Sequence, residues 1–79
     1  MRLDKYLKVS RLIKRRTVAN EACDAGRVMG NGRVAKASLD VKVGDVIVIA
    51  FGNKSVRAQV LQVADTSRKE DAKEMFKYL

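Results

Sequence analysis

Seventy-nine residues, 47% hydrophobic but with only two Phe, two Tyr and no Trp, suffice for one small aliphatic core and leave no room for a second. The absence of His and the presence of a single Cys remove the usual general base, the commonest metal ligand, an internal disulfide and a Cys–His nucleophile pair. The net charge of +8 is concentrated at one end: residues 1–36 hold ten Lys/Arg against three acids, residues 37–79 seven against six.

A field so one-sided attracts a polyanion, and nucleic acid is the commonest one in a cell. The longest apolar run, Val46 to Phe51, is six residues, too short for a bilayer. Charges at positions 2, 4, 5 and 8 break any signal-peptide apolar region. Gly30-Asn31-Gly32 lacks the Lys-Ser/Thr that completes a phosphate loop. The expectation is a cytoplasmic, non-catalytic binding protein with no cofactor, no metal and no membrane contact.

The segment Arg2 to Arg11 reads as a helix with Leu3, Tyr6, Leu7 and Ser10 on one side and Arg2, Lys5, Lys8 and Arg11 across the other. Val9 and Leu12 would fall among the cations, so the helix should stop near Ser10 or Arg11. Asp4 suits a role in orienting a neighbouring cation or supporting the first turn. Tyr6 fits either a base stack or core packing.

A second helix should start at Arg15-Arg16-Thr17, with Thr17 as N-cap, an inner face of Val18, Ala22 and Ala25 flanked by Ala19 and Cys23, and Gly26 as the left-handed stop. Arg15 and Arg16 beside open helix amides make a seat for phosphate, with Lys14 just before them. Asn20 fits either a surface residue or an RNA hydrogen-bonder, and Cys23 a small buried hydrophobe.

From Val28 the pattern is strands and tight turns. Val28-Met29, an Asn31-Gly32 turn and Arg33-Val34 form a hairpin. A turn at Val43-Gly44-Asp45 leads into Val46–Ile49, and Phe51-Gly52-Asn53-Lys54 turns into a strand over 55–63. At the C-terminal end, Ser67-Arg68-Lys69-Glu70 fits a capping box, and Ala72, Met75, Phe76 and Leu79 form an i, i+3, i+4, i+7 helical stripe.

The order of these features resembles the S-four RNA-binding domain. The matching stretches are Met1 to Lys8, Arg15 to Asn20, Asp24 to Val28, Asn31-Gly32-Arg33 and Val43-Gly44-Asp45, spread over residues 1–63. A solitary domain of this length further resembles the fifteen-kilodalton heat-shock proteins. The runs Lys8 to Thr17 and Lys69 to Met75 resemble the ribosome-associated quality-control group, RqcP.

The resemblance implies an α+β fold: two N-terminal helices on a small, mostly antiparallel, twisted sheet (an αL motif) over residues 1–63, with an amphipathic C-terminal helix over 64–79. It also implies binding to large-subunit rRNA and peptidyl-tRNA on obstructed subunits, beside an RqcH-type factor that adds an alanine tail, by a protein that is a monomer off the ribosome. Its RNA-facing positions fall here on Arg2, Lys5, Lys8, Arg11, Lys14, Arg15, Arg16, Asn20, Arg27 and Arg33. Met29-Gly30 departs from the family's Val before Asn-Gly, which leaves the hairpin register and the place of Arg33 open. Recycling of stalled large subunits, an accessory module of an RNA-modifying enzyme, and a partner-docking module with an incidental basic face are the competing readings.

Overall fold

The structure, a computed structural model, describes residues 1–65 and 68–79. Two helices, α1 (Leu3–Val9) and α2 (Arg16–Asp24), precede a five-stranded sheet built from β1 (Val28–Gly30), β2 (Arg33–Val34), β3 (Val46–Phe51), β4 (Lys54–Val60) and β5 (Phe76–Tyr78). A single helical turn, α3 (Lys69–Ala72), lies between β4 and β5. The strand order is β2-β1-β3-β4-β5 and every pairing is antiparallel.

The period-2 alternation of β3 and β4 sets the two faces of the sheet. Ile47 and Ile49 pair with Ala58 and Val56 on the face toward the helices, while Val46, Val48 and Ala50 pair with Gln59, Arg57 and Ser55 on the other. Leu3, Tyr6 and Leu7 of α1 are completely buried with Val28, Ile47, Ile49, Val60 and Met75 in one continuous core. This helix–sheet pairing matches the expected fold class.

The first helix buries the side expected of it, Ser10 included. It ends at Val9, with Ser10 as C-cap and Arg11 in the left-handed region at φ 64°. That reversal turns the chain inward, so Val9 is buried and Leu12 packs against the core instead of lying among the cations. The start of α2 also differs from expectation: Arg15, not Thr17, is the N-cap, and Thr17 sits inside the first turn. Its buried side chains are Ala19 and Cys23, whereas Val18 and Ala25 are exposed and Ala22 is half-buried, so the helix is rotated relative to the expected inner face. Gly26 (φ 74°) closes the helix as anticipated: its N–H donates to Cys23 O and that of Arg27 to Ala22 O, the paired bonds of a Schellman motif.

Both turn residues of the first hairpin, Asn31 (φ 52°) and Gly32 (φ 83°), are left-handed, as a type I′ turn requires. The register is regular, Met29 opposite Val34 and Gly30 opposite Arg33, so Met29-Gly30 leaves the hairpin undistorted. Gly30 serves close packing: a Cβ there would lie 2.9 Å from Leu39 Cδ2. Asn31 also ties the hairpin to β3, its Oδ1 accepting from Val46 N–H at 2.9 Å.

Residues 64–79 are not the expected helical extension. Among the described residues of this range only Lys69–Ala72 are helical, and Phe76–Tyr78 form a strand paired to Ala58–Val60 of β4, which itself ends at Val60 and not at 63. Ala72 and Met75 are buried, but Leu79 is exposed, so the stripe is split between a turn and a strand. The expected cap at Ser67 lies outside the described residues.

The C-terminal strand is held from the opposite end of the chain. Tyr6 Oη donates to Met75 O at 2.7 Å, and the same carbonyl accepts from the N–H groups of Leu61 and Gln62. Tyr6 is fully buried and is therefore a core residue, not a base-stacking one. Because Met75 O keeps two other donors, Tyr6→Phe should cost only the net value of one buried hydrogen bond, about 1 kcal/mol by urea denaturation. A loss below experimental error would mean that this bond does not anchor the terminal strand.

Candidate nucleic-acid interface

Among the described residues, Asp4 is the only buried ionisable carboxylate, 3% exposed at the start of α1. Its Oδ1 accepts from the Lys5 amide at 2.8 Å and from Arg2 Nε at 3.2 Å. Its Oδ2 accepts from Asn20 Nδ2 at 3.3 Å and Arg2 Nη2 at 3.4 Å, and forms an ion pair with Arg16 Nε at 3.4 Å. One carboxylate thus holds two guanidinium groups and one side-chain amide from both helices. Those arginine side chains are each about half exposed, and each guanidinium carries more N–H donors than this carboxylate takes up.

Burial by itself raises the pKa of Asp4, but the hydrogen bonds from Asn20, Lys5, Arg2 and Arg16 outweigh it, and the carboxyl lies below its ordinary value. Asp4 therefore both supports the first turn and orients neighbouring cations.

The two helix N-termini are used differently. The first amides of α1 are taken up by the 37–39 segment: Leu3 N–H donates to Leu39 O and Asp4 N–H to Ala37 O. The N-terminus of α2 has no side-chain cap, and Arg15 and Arg16 stand on it. An uncapped helix N-terminus offers free amides and the positive end of the helix dipole, and here two cationic residues begin it.

Asn20 joins two open depressions. One, about 370 Å³, is lined by Arg16, Thr17, Asn20 and Glu21. The other, about 580 Å³, runs between α2 and the 34–38 segment, with Arg2, Asn20 and Lys36 on its walls. Residue type and spacing do not single out Lys36, because its proximity to Arg2 depends on the 34–38 segment folding back against α1.

The remaining candidates divide. Lys8, Arg11, Lys14 and Arg15 are exposed on the end of α1 and the following loop, without an ion pair among the described residues. Lys5 Nζ is diverted to Asp65, 3.3 Å away. Arg33 is exposed on the edge strand β2. Arg27 lines a separate groove against the β3–β4 turn. Cys23 is buried; burial first, then the charges of Asp4 and Asp24, push its thiol pKa up, so it is no reactive thiolate.

The lowered pKa of Asp4 has a fixed sign in stability. Its contribution is complete above the unfolded value of 3.8 and is lost as pH falls through the lower folded value. Urea midpoints should therefore drop more steeply in the wild type than in Asp4→Asn between roughly pH 4 and pH 2. Asp40, whose carboxyl is also held low by the terminal ammonium, is common to both proteins and cancels. Parallel curves would contradict the ionised-cluster description.

Residues 1–47 match the S4 domain family. The chain is 56% identical over all 79 of its residues to the RQC P-site tRNA stabilizing factor of Streptococcus pneumoniae, covering 90% of that protein. It is 57% identical over its full length to the Bacillus subtilis protein of the same name, covering 92% of it. The solved trimeric structure of Vibrio cholerae Heat Shock Protein 15 superposes with a TM-score of 0.92 at 29% identity, over all of this chain and 81% of that one. The helix pair, the hairpin and the sequence itself thus agree: the chain belongs to the S4 domain family and, within it, to the family of the RQC P-site tRNA stabilizing factors.

Proposed function

We propose that this protein is a non-catalytic RNA-binding factor of the large ribosomal subunit. In this reading it holds peptidyl-tRNA in place on obstructed subunits during ribosome-associated quality control, while an RqcH-type factor adds alanine to the nascent chain. The observation that carries it is the Asp4-centred cluster, which fixes Arg2, Arg16 and Asn20 side by side next to the open N-terminus of α2. The names of its family relatives support the same reading.

The physics is phosphate positioning on a shaped surface. Folded RNA hides its major-groove base edges, so fixed cations on a rigid helix pair recognise backbone geometry more readily than sequence. Arg2, Arg16, Lys8, Arg11, Lys14 and Arg15 supply six such contacts. Lys5, shared with Asp65, contributes less, and Arg27 and Arg33 extend the surface at its margins. Six contacts correspond to roughly a thousandfold loss of affinity between 50 and 200 mM salt.

Removing one phosphate contact should lower the salt slope by about one unit. Arg16→Gln is expected to do so on purified large subunits, whereas Lys77→Gln, on the sheet's far edge strand, should leave the slope unchanged. In sucrose gradients the wild type should sediment with large subunits under translation stress; recovery only at the top of the gradient would contradict the proposal. The fold likeness to the heat-shock protein favours recycling of stalled subunits as the second reading. Stronger retention on subunits that carry peptidyl-tRNA supports the first, and equal retention on vacant subunits the second.

A further inference from the structure

Phe51 stands apart from the other aromatic residues. Tyr6 is buried, and Phe76 and Tyr78 pack edge to face on each other with ring centroids 5.1 Å apart. Phe51 is 45% exposed at the end of β3, with no ring contact among the described residues. It follows Ile47 and Ile49 on the helix-facing side of the sheet, where the buried alternation of β3 gives way to exposed residues. Opposite it, Val18 is 46% exposed on the outer turn of α2. Both line a groove of about 440 Å³, together with the apolar Ala22 and Ala25 and the charged Arg27 and Glu21.

This groove has the size of a small-ligand site (about 300–1,000 Å³) and a composition suited to one kind of occupant. An aromatic ring on an apolar floor takes the face of an unstacked base, and a neighbouring guanidinium takes its phosphate. Charge sets the orientation: Arg27 attracts the phosphate, while the Glu21 carboxylate repels it and accepts from the N–H donors of a base edge. The groove is also continuous with the basic surface. Ile13 lines it, and Lys14 and Arg15, the next two residues, are exposed and lack an ion pair among the described residues.

We propose that the groove between α2 and the β3–β4 turn is a seat for one extruded RNA nucleobase, stacked on Phe51 with its phosphate on Arg27. This rests on the RNA-binding reading above and adds to the shape-reading helix pair a contact that selects RNA with an unpaired nucleotide at a set distance from the Arg16 phosphate seat.

The chain contains no Trp, so Phe51→Trp places a single fluorescent reporter in the groove. The probes are unfractionated tRNA and protein-free large-subunit rRNA. The indole emission of this variant should be quenched on binding to at least one of them. Phe51→Ala and Phe51→Leu should each weaken binding about tenfold without changing the salt slope, because a stack is not a counterion contact. Arg27→Gln should lower that slope by about one. An unquenched indole in a bound complex, or Phe51→Leu binding like the wild type, overturns the base seat while leaving the Arg16 interface standing. A blue shift on intact large subunits without quenching by the protein-free RNAs gives the groove to a ribosomal protein and equally overturns it. Wild-type affinity for both RNAs in Arg16→Gln, with no salt dependence, would sink the parent reading as well.

Discussion

The carboxylate of Asp4 sets the geometry of the helix pair. A charge with so little solvent contact must be compensated by hydrogen bonds and opposite charge, and here the compensation comes from two helices at once: Arg2 and the Lys5 amide from the start of α1, Arg16 and Asn20 from α2. Packing alone would let small side chains such as Ala19 and Cys23 slide against α1. The shared carboxylate fixes their register and aims two guanidinium groups outward. In this fold the negative residue organises the positive surface.

The rest of the molecule serves that arrangement. The 37–41 segment closes the amide donors of α1 and pairs Val41 N–H with Met1 O, so the first helix begins at a defined place. Asn31 fastens the β1–β2 hairpin to β3, which positions the strand that feeds that segment. On the opposite side Tyr6 reaches through the core to Met75 and holds the last strand against β4. Beyond the cluster, the basic surface continues through exposed cations on the end of α1 and the 10–15 loop.

Legibility in the sequence follows from how local each determinant is. The buried side of α1, the Gly26 stop and the Asn31-Gly32 turn could be read because each depends on a few consecutive residues. The rotation of α2 could not: Val18 is the more hydrophobic residue, but Ala19 and Cys23 are the buried ones, and with small residues all round the helix only its packing decides which face turns inward. The C-terminal stripe misled for a related reason. Ala72, Met75 and Phe76 satisfy helical spacing over too short a span to exclude other structure, and the unpaired edge of β4 recruits Phe76–Tyr78 as a strand. At the site, residue types near the amino end named Arg2, Arg16 and Asn20 as candidates, and the structure gathers them around Asp4, while the diversion of Lys5 to Asp65 and the approach of Lys36 depend on segments distant in the chain.

The central claim is that cation placement, more than cation number, governs RNA binding, and Asp4→Asn separates the two. The substitution raises the net charge by one and keeps the side chain's shape, so charge alone would strengthen attachment to RNA. Loss of the fixed cluster would weaken it. The measurement is the equilibrium affinity of folded Asp4→Asn for purified large ribosomal subunits at about 150 mM salt, beside the wild type. A several-fold weaker affinity is expected from released Arg2 and Arg16. Equal or tighter binding would contradict the account.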